Sequence, residues 1–170
     1  MALNKVFGGN FATLASQGYT ATATFTPAAA AYSANDVMDV AQTMTWVDNN
    51  GVTFAGGDLM ITTVELLVSE TAVQSGETSY NLQKYNVTPP SAHADNAAWD
   101  LPSGDRASYQ GATSLGTPVD IGSSLYLKTN GIYEQITVPT TGKTFAELVT
   151  VGAFTATATA RKVTLHAVAL

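Results

Sequence analysis

The sequence predicts an all-β protein, an antiparallel β-sandwich that is jelly-roll-like, with about eight or nine strands. Three observations carry this. Short runs alternate apolar and polar residues with period two, as half-buried strands do. Clusters of Gly, Asn, Asp and Pro separate those runs as turn signals. Charged residues make up only 12% of the chain, about half the usual ~25%. Ala and Thr take their place, and the stiff β-branch of Thr suits strands. The length of 170 residues suits one domain with one core. We read it as a single sandwich over 19–170, preceded by an N-terminal arm over 1–18 in which GGN and ASQG indicate an extended segment.

YTATATFT (19–26) alternates strictly, with Ala21, Ala23 and Phe25 on one face and threonines on the other. Pro27 stops it. VMDVAQTMTWV (37–47) places Met38, Val40, Met44 and Trp46 on one face, with Gln42 breaking the set. DNNG (48–51) is a hairpin signal, because Asn and Gly tolerate positive φ. GGDLMITTVELLVSE (56–70) is the most apolar strand, with Met60, Val64, Leu66 and Val68 pointing one way and Thr63 and Glu65 the other. SYNLQKYNV (79–87) reads as a strand with mixed faces, at an edge or an interface. SLYLKTNGIYEQITVP (124–139) reads as a hairpin with Asn130-Gly131 at a type I′ turn. TTGK (140–143) turns the chain again before TFAELVTVGAF (144–154). The last strand, KVTLHAVAL (162–170), puts Val163, Leu165, Ala167 and Ala169 on one face and His166 on the other.

Bulk charge excludes several classes of partner. The net charge is −6, and the seven Lys and Arg are scattered, only Arg161 and Lys162 being adjacent, so there is no footprint for nucleic acid or for an anionic membrane. There is no cysteine, hence no disulfide framework and no thiol chemistry. The N-terminal apolar stretch is broken by Gly8, Gly9 and Asn10, which argues against a signal peptide. No apolar run approaches the ~18 residues of a membrane span. The chain therefore reads as soluble and made in the cytoplasm.

Chemistry is equally sparse. A nucleophilic enzyme needs a nucleophile, a base and an orienting group. No Cys and no G-x-S-x-G elbow is present, and nothing pairs His93 or His166 with a nucleophile. A metal would have to use His93, Asp95, Asp100 and Asp105, but HAD supplies at most two zinc ligands, and aspartates five apart do not follow a calcium loop. Each Asp reads instead as a turn cap or an acceptor of backbone N–H bonds. No pair stands out among thirteen acids as a glycosidase couple. We expect no enzyme, no metal and no cofactor.

The segment 87–109, VTPPSAHADNAAWDLPSGDRASY, interrupts the strand pattern and gathers three prolines, three aspartates, His93 and Trp99. Long ordered loops in compact domains are uncommon and usually functional. A proline-rich loop is already restricted, so ordering it against a partner costs less entropy. A tryptophan in such a loop either plugs it onto its own sandwich or anchors a partner, and the sequence leaves both open. Trp46, on the apolar face of its strand, reads as core.

Three stretches carry a resemblance: PAAAAYSANDVM (27–38), the run 82–109 with Pro89, Pro90 and Asp95-Asn96-Ala97-Ala98-Trp99, and the ending VTLHAVAL. They resemble a family of small proteins encoded in the head-gene region of tailed bacteriophages and prophages. Asn35 stands where that family usually has Gly. The resemblance implies a virion structural protein, a capsid decoration or cement protein that binds the outside of the head and bridges major capsid subunits. It would be made in the host cytoplasm and would act as a dimer or trimer. The candidate partner-interface residues are Pro89, Pro90, Asp95, Asn96, Trp99, Leu101 and Tyr109. Asp95 and Asn96 would fix turns, and Trp99, Leu101 and Tyr109 would supply buried area. The alternative reading is a carbohydrate- or receptor-binding β-sandwich of a phage tail or fibre, resting on Trp99, Tyr109 and Tyr133 as exposed aromatics.

Overall fold

The alternation written in YTATATFT becomes two faces of a strand. Tyr19, Ala21, Ala23 and Phe25 are buried, while Thr22 and Thr24 are exposed. The computed structural model describes residues 18–89 and 91–170, so residues 1–17 of the arm expected over 1–18, and Pro90, lie outside the described residues. Gly18 already belongs to the first strand. Among the described residues, eight strands of six or more residues carry the fold: β1 (Gly18–Phe25), β3 (Val37–Thr45), β5 (Gly57–Val68), β6 (Tyr80–Tyr85), β7 (Tyr109–Gly116), β9 (Leu125–Val138), β10 (Lys143–Thr150) and β12 (Arg161–Ala169). Four two-residue strands complete it: β2 (Ala31–Tyr32), β4 (Val47–Asp48), β8 (Val119–Asp120) and β11 (Phe154–Thr155).

One sheet has the order β4-β1-β12-β5-β9-β8 and the other β3-β10-β6-β7, while β11 and β2 form a separate pair. All of these strand pairs are antiparallel. Among the eight long strands the first pairs with the last, the second with the seventh, the third with the sixth and the fourth with the fifth. That nesting is the jelly-roll topology, in which a folded-over hairpin wraps its strands alternately into two sheets. The core between the sheets takes Met38, Met44 and Trp46 from one side and Leu59, Ile61, Val64, Leu66, Val163 and Leu165 from the other. Trp46 is fully buried, and its indole N–H donates to Thr144 Oγ1 at 2.9 Å.

Bulges correct three sequence expectations. In β3, Val40 is 49% exposed rather than inward, because Asp39 adopts φ 72° and the register against β10 shifts there. In β5 the register shifts between Ile61 and Thr63, so Leu59 and Ile61 face the core and Met60 does not. The Asn130-Gly131 hairpin is absent. β9 runs through it as one strand paired to β5, with Thr63 opposite Asn130 and Ile61 opposite Glu134. Gly131 (φ 73°) and Tyr133 (φ 55°) absorb the extra residues as a bulge. The same positive-φ chemistry that closes a hairpin therefore kinks a strand whose partner is remote. The bulge sets Glu134 beside inward-facing Ile61, where it reaches Lys84 of the opposite sheet at 2.8 Å. Burial holds the Lys84 ammonium below the usual lysine range, against the attraction of Glu134.

The turn at 139–142 packs on the 53–56 segment so closely that only glycine fits at 142. A Cβ on Gly142 would lie 2.3 Å from Thr53 Cγ2 and 2.6 Å from the Phe54 carbonyl oxygen, and its φ is 68°. At the other end the core closes on a buried ion pair, Arg161 with Glu70 at 2.7 Å.

Candidate functional site

The segment between β6 and β7 folds back over the outer face of the four-stranded sheet and roofs it. Burial alternates along 92–100. His93, Asp95, Ala97 and Trp99 turn partly inward, while Ala92, Ala94, Asn96, Ala98 and Asp100 are exposed. The roof is thus an irregular strip over the sheet, with a turn at Asp95-Asn96 where Asn96 takes φ 64°. It explains why β6 is buried on both sides, with Leu82 in the core and Tyr85 beneath the roof.

Three sets of bonds hold the roof. At its neck, Asn86 N–H donates to the Ser108 carbonyl at 2.9 Å. Fully buried Asp105 accepts from Ser91 N–H at 3.2 and 3.3 Å, and its carbonyl accepts from Ser108 N–H and Tyr109 N–H at 3.0 Å. In the middle, the strip pairs with the approach to β3. Asn96 N–H donates to Val37 O, Val37 N–H to Ala97 O, and Trp99 N–H to Asn35 O, each at 2.8 Å. Asn35 returns a bond from Nδ2 to the Trp99 carbonyl at 2.7 Å.

Asp95 is the third anchor. Its carboxylate accepts from Tyr32 Oη–H at 2.6 Å, Asp39 N–H at 2.6 Å and Ala28 N–H at 2.8 Å. Burial opposes its charge, but the bonds from Tyr32, Asp39, Ala28 and Asn96 outweigh it and hold the carboxyl below the usual aspartate range. Burial, with Asp95 as neighbour, pushes the Tyr32 phenol well above its ordinary value. Asn35, Asp39 and Asn96 all adopt positive φ, which Asn and Asp tolerate better than other side chains.

Beneath the roof lies a mixed aromatic and ionic cluster. Glu147, on the outer side of β10, is fully buried. It accepts from His93 N–H at 3.2 Å and from Tyr85 Oη–H at 3.1 Å, and it faces His93 Nδ1 at 3.2 and 3.3 Å. His93 Nε2 faces Asp100 Oδ1 at 3.0 Å. Trp99 Nε1–H donates to Tyr85 Oη at 3.2 Å, and the Trp99 and Tyr109 rings are 6.1 Å apart. Tyr109 Oη–H donates to Gln83 Oε1 at 2.8 Å. Burial pushes both the Tyr85 and the Tyr109 phenols up.

The sequence-predicted residues therefore separate by role. Asp95 and Asn96 secure the roof to β3, and the half-buried Trp99 and Tyr109 meet over Tyr85. Pro89 is buried and Leu101 half-buried, while Pro90 lies outside the described residues. Of the four residues considered for a metal, His93 meets Asp100, but Asp95 and Asp105 serve elsewhere as acceptors of N–H bonds. His93 touches two acids, one at each ring nitrogen, so the acids do not converge on a shared point. Among the described residues no group of three or more His, Asp or Glu is placed to hold a metal ion. Sequence reasoning missed Glu147 and Tyr85. The signal was a lone acid inside the apolar strand TFAELVT, since buried charges are almost always paired.

Beside the roof, an open groove of about 430 Å³ is lined by Val87, Pro139, Thr141, Lys143 and Phe145, among others. The fold and the site together define a jelly-roll sandwich with one roofed face. No family model matches the chain, and no curated protein matches it.

Proposed function

We propose that this chain is a virion structural protein, a capsid decoration or cement protein that binds the outside of a tailed-phage head and bridges major capsid subunits. The observation that supports it best is the roof. A loop tied down at its neck, its middle and its underside presents a strip of Ala92, Ala94, Asn96 and Ala98 outward. A preorganised surface loses little entropy on docking, and small uncharged side chains need little desolvation. The family resemblance over 27–38, 82–109 and the C-terminal strand points the same way. In this reading the aromatic residues scaffold the contact and the small residues make it, and the sandwich turns over no substrate. Electron cryo-microscopy of the native particle tests it. Density for the sandwich on the head exterior, with 92–98 at a capsid subunit, is expected, and heads that lack the chain outside would end the proposal.

Of the three aromatics behind the carbohydrate-binding alternative, Trp99 and Tyr109 are half-buried, which leaves Tyr133, 72% exposed at the β9 bulge. A glycan array with no binding would remove it.

A further inference from the structure

We propose that His93 is a charged latch that holds the roof on the four-stranded sheet while its ring is protonated and loosens it when the ring loses its proton. The side-chain geometry favours the doubly protonated ring, although the Asp100 backbone N–H also points at Nε2, at 3.4 Å. Nδ1 lies 3.2 and 3.3 Å from the two Glu147 oxygens, and Nε2 lies 3.0 Å from Asp100 Oδ1. A neutral imidazole carries one N–H and can donate to only one of these carboxylates, whereas the imidazolium donates to both. The ring is enclosed, with its side chain 9% exposed, and Glu147 is fully buried, so the contact with Glu147 is little screened by solvent.

The groups around the ring come from three places. Glu147 faces it from β10, Asp100 from the roof itself, and Tyr85 of β6 shares the Glu147 carboxylate from below. Both charged neighbours are acids. Burial of the ring works against its charge, but Asp100 and Glu147 outweigh burial and raise its proton affinity above that of free histidine. A histidine whose folded value is raised contributes stability that is complete below the unfolded value, about pH 6.5, and is lost as the pH rises through the folded value. When the proton leaves, the Asp100 carboxylate faces a bare ring nitrogen, which keeps only the long contact from the Asp100 backbone N–H, and Glu147 loses the imidazolium beside it. The Asp95 anchor, held below the usual aspartate range, stays charged throughout, so the effect centres on the strip around His93.

The test needs only the purified chain. Nuclear magnetic resonance titration follows the two histidines, with a His166→Gln variant to assign their signals. His93 is expected to titrate above pH 6.5. Asp100→Asn, at an exposed side chain, is expected to bring that value down while the protein stays folded. Hydrogen exchange over 91–100, corrected for intrinsic rates, is expected to rise about tenfold across the His93 transition in the parent chain. A His93→Gln variant is expected to show fast exchange there at every pH, with no step. Titration of His93 at or below pH 6.5, no response to Asp100→Asn, or roof protection indifferent to the transition would each overturn the latch.

Discussion

The two sheets present outer faces that differ in almost every respect. On the six-stranded sheet, register places Thr22, Thr164, Glu65 and Lys128 side by side across four strands. Thr22 and Lys128 are exposed and Glu65 and Thr164 half-exposed, and their contacts are open to water: Thr22 Oγ1 to Thr164 Oγ1 at 3.1 Å and Lys128 to Glu65 at 2.8 Å. Lys128 holds the Glu65 carboxyl below its usual range. On the four-stranded sheet, the corresponding side chains, Tyr85 and Glu147, are fully buried beneath the roof. Both faces carry polar groups, but only one is cut off from solvent. A polar group that water can serve is replaceable, whereas one under the roof depends on a single protein partner. The same chemistry is therefore nearly neutral on one face and structural on the other.

Glu147→Ala should give the largest effect. It leaves the His93 ring and backbone N–H and the Tyr85 hydroxyl without their acceptor, and breaking such a buried pair costs about 3–5 kcal/mol. Urea denaturation measures it, and a loss below ~1 kcal/mol would show that water enters under the roof. Asp95→Asn comes next, at about 1–3 kcal/mol for weakened charge-assisted bonds. Because the folded Asp95 value is depressed, its contribution is present above the unfolded value near pH 4 and fades as the pH falls through the folded value. Acid-titrated melts of parent and variant should converge below that window.

Trp99→Ala should cost about 1–3 kcal/mol, less than a fully buried tryptophan because the ring is half-exposed. It should also quicken exchange in the roof. A variant that melts like the parent yet fails to bind its particle would instead make Trp99 a partner anchor. Smallest of all, Lys128→Ala on the open face should leave the melting temperature unchanged within error. A clear drop there would mean that the open face is covered by something other than water.

Much of the fold is legible in the amino-acid sequence. The alternation in β1 and β12, the buried Trp46, the turn at 48–51 and the acceptance of backbone N–H bonds by Asp95 and Asp105 follow from local rules, whereas Asp100 meets the His93 ring instead. The departures gather at the bulges. Val40, Met60 and Asn130-Gly131 each lie where a strand gains residues relative to a neighbour distant in sequence. Period-two counting has no access to that neighbour. The candidate site is legible in part: the 87–109 segment stands out by its prolines and aspartates, but Tyr85 and Glu147 beneath it do not.

What the sequence determined by itself is whatever depends on adjacent residues: side-chain alternation, turn chemistry, and hence an all-β sandwich. The tertiary structure alone decided which way the 87–109 segment faces, that His93 lies between Glu147 and Asp100, and that Asn130-Gly131 bends a strand instead of ending one. The physical reason is distance along the chain. His93 and Glu147 are 54 residues apart, and nothing local to either specifies a contact that forms only when β6 and β10 have paired and the roof has closed on them.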